Sequence, residues 1–150
     1  MSRPLAAASL LMAEALAADL ERGRVTLPLA DQGGRTAHVH GHCHQKAFGA
    51  MGAVESVLKA VPGLDVQVIE SSCCGMSGAF GYGAATIDVS FAMAELSLLP
   101  AVRAAGADDI VVADGTSCRH QIHDGAGREA VHMARVLADA LAPSGAAGEG

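Results

Sequence analysis

The stretch Ile69-Glu70-Ser71-Ser72-Cys73-Cys74-Gly75-Met76-Ser77-Gly78-Ala79-Phe80-Gly81-Tyr82-Gly83 decides how this chain is read. It follows a Val/Ile run, Leu64 to Glu70, that has the composition of a strand. Two adjacent cysteines and a glycine come directly after that run, so a pair of thiols stands at a strand's end. The same arrangement recurs twice. Thr36 to His42 is a second strand-like run, and Cys43 ends it. Asp109 to Ala113, with Ile110-Val111-Val112 as its apolar centre, is a third, and Asp114-Gly115-Thr116-Ser117-Cys118 follows it.

Helical patterns lie between these runs. Pro4 to Arg22 places Met12, Leu16 and Leu20 on one face and stops at Gly23. Ala47 to Val61 carries an inner stripe of Phe48, Met51, Val54 and Leu58, broken by Pro62-Gly63. Thr86 to Ala105 is helical with a kink or split at Pro100. Gly127 to Leu141 presents Met133, Leu137 and Leu141. Strands alternating with helices predict an α/β fold, a small parallel sheet with helices on both faces. The expected core is Val39, Val66, Val68, Ile110, Val111 and Val112 against Phe48, Leu58, Phe91, Leu137 and Leu141. In such sheets ligands bind outside the carboxyl ends of the strands, where all four cysteines fall. We expect one domain over 1–150: a helix and loop over 1–35, a core over 36–142 and a frayed tail over 143–150.

Composition excludes several classes of function. The chain has 150 residues, 51% of them hydrophobic, with no Trp, one Tyr and three Phe. That length and apolar content suffice for an ordinary buried core. A net charge of −6 and the lack of any basic run argue against a nucleic-acid surface. No apolar stretch is long enough to span a bilayer. The first residues resemble a secretion signal only weakly, because Glu14, Asp19, Glu21 and Arg22 continue them as an amphipathic helix, so a cytoplasmic location is expected. Four cysteines in that setting favour metal or redox chemistry over a disulfide framework.

Four thiolates from three loops suit an iron–sulfur cluster or a tetrahedral zinc. Thiol–disulfide exchange through Cys73 or Cys74, without metal, is a third use of the same sulfurs, and four buried structural cysteines are a fourth reading. Gly75 and the glycines after it let the backbone fold over an inorganic group and turn amides toward sulfur. His38, His40, His42 and His44 alternate, so within a strand they share one face. They are either a metal face or a consequence of the strand beside the thiols. His44, at the turn, is the candidate to join the cysteines. His120, two residues past Cys118, is the candidate for proton handling, and His123 and His132 are surface or packing residues. Lys46 and Arg119 give the thiols a positive surround, either to balance an anionic cluster or as ordinary solvated side chains. The glycines at 78, 81 and 83 have the reverse spacing of a dinucleotide fingerprint, and no phosphate-binding Lys follows.

Three segments carry a resemblance. Gly41-His42-Cys43-His44-Gln45-Lys46-Ala47, Glu70-Ser71-Ser72-Cys73-Cys74-Gly75-Met76-Ser77-Gly78 and Asp114-Gly115-Thr116-Ser117-Cys118-Arg119-His120-Gln121 resemble the cysteine-rich CCG domain. That domain occurs in heterodisulfide reductase, in the iron–sulfur component of glycolate oxidase and at the C-terminus of FAD-linked oxidases. The wording is closest to the last group, D-lactate or D-2-hydroxyglutarate dehydrogenase-like proteins, over residues 36 to 141. The resemblance implies a cluster, 4Fe–4S in type, on Cys43, Cys73, Cys74 and Cys118, with zinc as the alternative; the reading of the residues adds His44 as a further ligand and Gly75, Lys46, Arg119 and His120 around it. It also implies FAD on a parent chain or partner subunit, an acceptor of unstated identity, and any membrane association only peripheral and through a partner. One departure matters: Gln121 stands where the heterodisulfide reductase pattern has a further cysteine, which leaves four thiols. The chain has no visible FAD-binding region and no ferredoxin-type cysteine run. The expectation is therefore part of an oxidoreductase, a C-terminal domain or separate subunit, that does not oxidise a hydroxy acid alone.

Overall fold

The computed structural model describes residue 5 and residues 8–141. The fraying expected over 143–150 and the helix start expected at Pro4 lie outside them, but residues 9–11 are not helical, so the helix expected over Pro4 to Arg22 is interrupted before Met12. Four strands form one sheet: β1 (Thr36–His40), β2 (Asp65–Val68), β3 (Ile110–Ala113) and β4 (Ala130–Val131). Their order is β2-β1-β3-β4, and every pairing is parallel, with Val39 opposite Val68 on one side and Val112 on the other. The α/β reading and its parallel sheet therefore hold. β4, two residues long, had no signal in the sequence.

Seven helices of the described residues cover the sheet: α1 (Met12–Glu21), α2 (Cys43–Ala47), α3 (Met51–Lys59), α4 (Ile87–Glu95), α5 (Leu98–Ala104), α6 (Thr116–Ala126) and α7 (Met133–Ala140). Side chains alternate along each strand, so neighbours serve opposite faces. Ala37, Val39 and Val112 join Val54, Val57 and Leu58 of α3 and Met133, Val136 and Leu137 of α7 in one core. Val111 and Ala113 face the other way, into Leu98 and Val102 of α5 and Ile122 of α6. Each large side chain buried in this way contributes ~1.5–3 kcal/mol.

Four further expectations need correction. The helix expected over Ala47–Val61 is two helices, because the chain turns through Gly49 at φ +68. Phe48 then caps α2 and is 82% exposed instead of lying in the core. Val68, on edge strand β2, and Leu141, past the end of α7, are exposed as well. The helix expected over Thr86–Ala105 splits at Leu96-Ser97, which leaves Pro100 in the first turn of α5, where its missing N–H costs no bond. The helix expected from Gly127 starts at Met133, since Gly127 instead ends α6 in the left-handed conformation.

Candidate metal centre

The site is assembled where β1, β2 and β3 end. β1 stops at His40, and a Cβ on Gly41 would meet the side chains of Met51 and Lys46. His42 then starts α2: its Nδ1 accepts from the His44 N–H at 3.3 Å, and its own N–H donates to Gln45 Oε1 at 2.9 Å. Gln45 Nε2 reaches Asp114 Oδ2 at 2.7 Å, while Asp114 Oδ1 accepts from the Met133 N–H at 3.0 Å. Asp114 thus fastens the loops after β1, β3 and β4 to one carboxylate.

The four thiols form two pairs, an outer and an inner one. Cys43 and Cys73 form the outer one, with sulfurs 3.5 Å apart. The Gly75 N–H donates to Cys73 Sγ at 3.3 Å. Gly75 has φ +88, and a Cβ there would run into the Ser90 carbonyl, so only glycine fits this turn. Ser77, also at positive φ, marks further backbone strain in the same loop. The inner pair is buried. Cys74 is 3% exposed, Cys118 1% and His40 1%, and their donor atoms lie within 4.8 Å of one another. His40 Nδ1 bonds Ser71 Oγ at 2.8 Å, whereas its Nε2 has no partner.

The inner thiols titrate as a pair. The hydrogen bond from Cys118, helped by the Met76 backbone, outweighs desolvation and pulls the Cys74 thiol down to about 4. Donating that proton, together with burial, pushes Cys118 up. Partial burial of its sulfur, then its hydrogen bond to Cys73, raises Cys43, and Lys46 opposes the rise. A buried thiolate beside a second sulfur and a partnerless imidazole nitrogen is a donor set for a soft or borderline metal.

The remaining candidates sit around this centre. Lys46 donates to the Ser71 and Ser72 carbonyls and to Ser71 Oγ, tying α2 to the loop after β2. Arg119 Nη1 donates to the Ala113 and Asp114 carbonyls at 2.9 and 2.8 Å, fastening α6 to the end of β3. His120 Nδ1 meets the Tyr82 hydroxyl at 2.5 Å. His44 stacks edge-on against His42 and lines, with Asp114 and His132, a cavity of about 320 Å³. Gly115 is a wall of that cavity, and a Cβ on it would meet His42 and, at 2.9 Å, Cys118 Sγ. The alternating histidines form no metal face of their own. His38 Nε2 bonds Asp109 Oδ2 at 2.9 Å, and among the described residues only His40 joins cysteines in a group with metal-ligating spacing. Sequence reasoning passed over His40 and Ser71 because neither is adjacent to Cys43 or Cys118. Gln121, which stands in place of a further cysteine, is buried and donates to Ser90 O and Oγ at 3.1 and 3.0 Å.

The chain is similar to one of the subunits of anaerobic glycerol-3-phosphate dehydrogenase from Escherichia coli strain K12, with 32% identity over 123 residues. It is equally similar to the subunit of the same name from E. coli O157:H7. Each match takes in 82% of this chain and 30% of the relative, so the chain spans about a third of the length of the curated relatives it matches. No protein-family model matches the chain, and no solved structure does.

Proposed function

We propose that this chain is an iron–sulfur electron-transfer domain of a flavin-dependent oxidoreductase, taking electrons from FAD on another domain or subunit. The observation that carries the proposal is the pairing of thiols at three strand ends, Cys43 with Cys73 and Cys74 with Cys118. Similarity to a dehydrogenase component supports the oxidoreductase setting. The reducing substrate is a secondary alcohol next to an acidic group: a 2-hydroxy acid by the resemblance of the motifs, or glycerol 3-phosphate by the relatives' name. An iron–sulfur cluster supplies one-electron transfer when bound. The chain's own contribution is to hold two thiols dry and two near solvent, with the Gly75 amide directed at sulfur. Amide hydrogen bonds and burial of this kind tune a cluster's potential.

The test is anaerobic reconstitution with iron and sulfide. The expected product is brown, contains both elements in stoichiometric amount, and bleaches on reduction. Protein that stays colourless and takes up only zinc refutes the proposal. A specific observation favours zinc as the second reading: the inner group offers one nitrogen and two sulfurs, a set common in tetrahedral zinc sites.

A further inference from the structure

We propose that His40 is a nitrogen ligand of this centre, and that Ser71 and Lys46 are positioning residues that keep its Nε2 unprotonated and aimed at the inner sulfurs. The proposal rests on the reading of the thiols as a metal centre. Its starting point is an unmet bond. His40 is buried, and its Nε2 is the one buried side-chain nitrogen or oxygen among the described residues with no hydrogen-bond partner. Leaving such an atom unpaired is costly in a packed interior. The ring has a nitrogen within ligand spacing of Cys74 and Cys118, and Nδ1 is already engaged by Ser71.

The proton's place on the ring follows from Ser71. The Lys46 ammonium has donors only, and it sits 3.4 Å from Ser71 Oγ while also donating to the Ser71 and Ser72 carbonyls. Besides His40 Nδ1 itself, the Ser71 hydroxyl can donate to the Ile69 carbonyl at 3.4 Å. In the proposed arrangement the hydroxyl donates to Ile69, accepts from Lys46, and has its other lone pair left for His40 Nδ1 at 2.8 Å. That lone pair requires the ring proton on Nδ1. The neutral ring then presents Nε2 as a bare lone pair, the form that binds metals. An oxygen partner behind a metal-binding imidazole is the usual way its tautomer and angle are fixed. The opposite tautomer would oblige Ser71 to give up Ile69.

The arrangement also explains two residues that the thiols alone do not. Lys46 directs its charge at backbone and Ser71, and Ser71 precedes the cysteine pair by two positions, close enough to move with it. One helix, α2, thus supplies a thiol at its start and the lysine that sets the imidazole.

The test uses the full chain loaded anaerobically with Co2+, with its histidines labelled with nitrogen-15. Pulsed EPR of the wild-type protein should show hyperfine coupling to an imidazole nitrogen, and His40→Gln should remove it. Ser71→Ala should weaken Co2+ binding by about 10–100-fold, the usual loss for a residue behind a metal ligand, and Ser71→Thr should restore it. Cys74→Ser serves as the control. If Cys74→Ser loses Co2+ but the wild type shows no imidazole coupling, the role of His40 is overturned while the thiol centre stands. If neither His40→Gln nor Cys74→Ser alters binding, the centre itself is wrong. A wild type without coupling overturns the proposal whatever the variants do, and if His40→Gln fails to fold, His44→Gln decides the assignment: it should keep the coupling, and its loss there overturns the proposal.

Discussion

Replacing Gly75 by alanine should destabilise the protein in a way that can be separated into two parts. The first part is conformational: Gly75 sits at φ +88, and an L side chain in the left-handed region costs about 1–2 kcal/mol. The second is steric, because the new Cβ would press on the Ser90 carbonyl and lie 3.2 Å from Gln121 Nε2. The Ser90 carbonyl is backbone of α4 and cannot rotate away, so the overpacking adds about 1–3 kcal/mol. Gly78 supplies the comparison. It has φ +71 in the same loop, but a Cβ there meets nothing within 4 Å. Gly78→Ala should therefore carry only the conformational cost. At roughly 2–4 °C per kcal/mol for a chain of this size, melting should fall by about 2–8 °C for Gly78→Ala and about 4–20 °C for Gly75→Ala. Both are measured by circular dichroism on metal-free protein. Equal losses would mean that the Ser90 contact is not what reserves position 75 for glycine. Gly75→Ala should also lower metal retention, since its amide donates to Cys73 Sγ.

Cys74→Ser should abolish cluster retention, read as iron and sulfide content. It should leave most of the far-ultraviolet dichroism, because the core between β1, α3 and α7 contains no thiol; outright unfolding would make the site structural. Leu58→Ala is the converse: the side chain is fully buried in that core, so about 2–5 kcal/mol of stability should go while metal stoichiometry holds, as a denaturant melt and metal analysis would record. The fourth prediction concerns pH. The folded Cys74 value, about 4, lies below the unfolded thiol value of about 8.5, so its contribution is present above the unfolded value and is lost as pH falls through the folded one. Cys118 is shifted upward, so its contribution is lost as pH rises past about 8.5. Metal-free protein should gain stability with pH between these limits and lose it above them, and Cys74→Ser should flatten the rise. Thiolate absorbance that appears only above the ordinary thiol range would count against the shared proton.

Much of the fold was legible because the strands announce themselves. Val39, Val66, Val111 and Val112 mark β1 to β3, and the parallel arrangement follows from the helices between them. α6 was not legible: Thr116 to Ala126 is polar, with Cys118, Gln121 and Ile122 as its only buried positions, and two of those three look like site residues. Phe48 misled because helical period alone cannot register that Gly49 turns the chain one residue later. The thiols were found because Cys is rare and strand ends are informative. His40 was missed for a geometric reason. Alternation gives His38, His40, His42 and His44 one face only while the strand lasts, and it ends at His40. Which of the four lies under the cysteine loop depends on the register of β1 against β3, with His40 beside Ala113, and sequence spacing does not contain that register.

The strand order bears on biosynthesis. A chain made from its N-terminus produces β1 first, yet β1 lies between β2 and β3. Cys43 therefore leaves the ribosome well before either neighbour can flank it, and Cys73 and Cys74 emerge while the position of Cys118 is still vacant. Pairing between strands so far apart in sequence is slow relative to helix formation, and Cys118 follows the third of them. For much of translation the nascent chain thus carries reactive thiols and no complete site. On the proposed reading, metal loading is a late event that waits for β3 to dock, and the thiols must stay reduced until then.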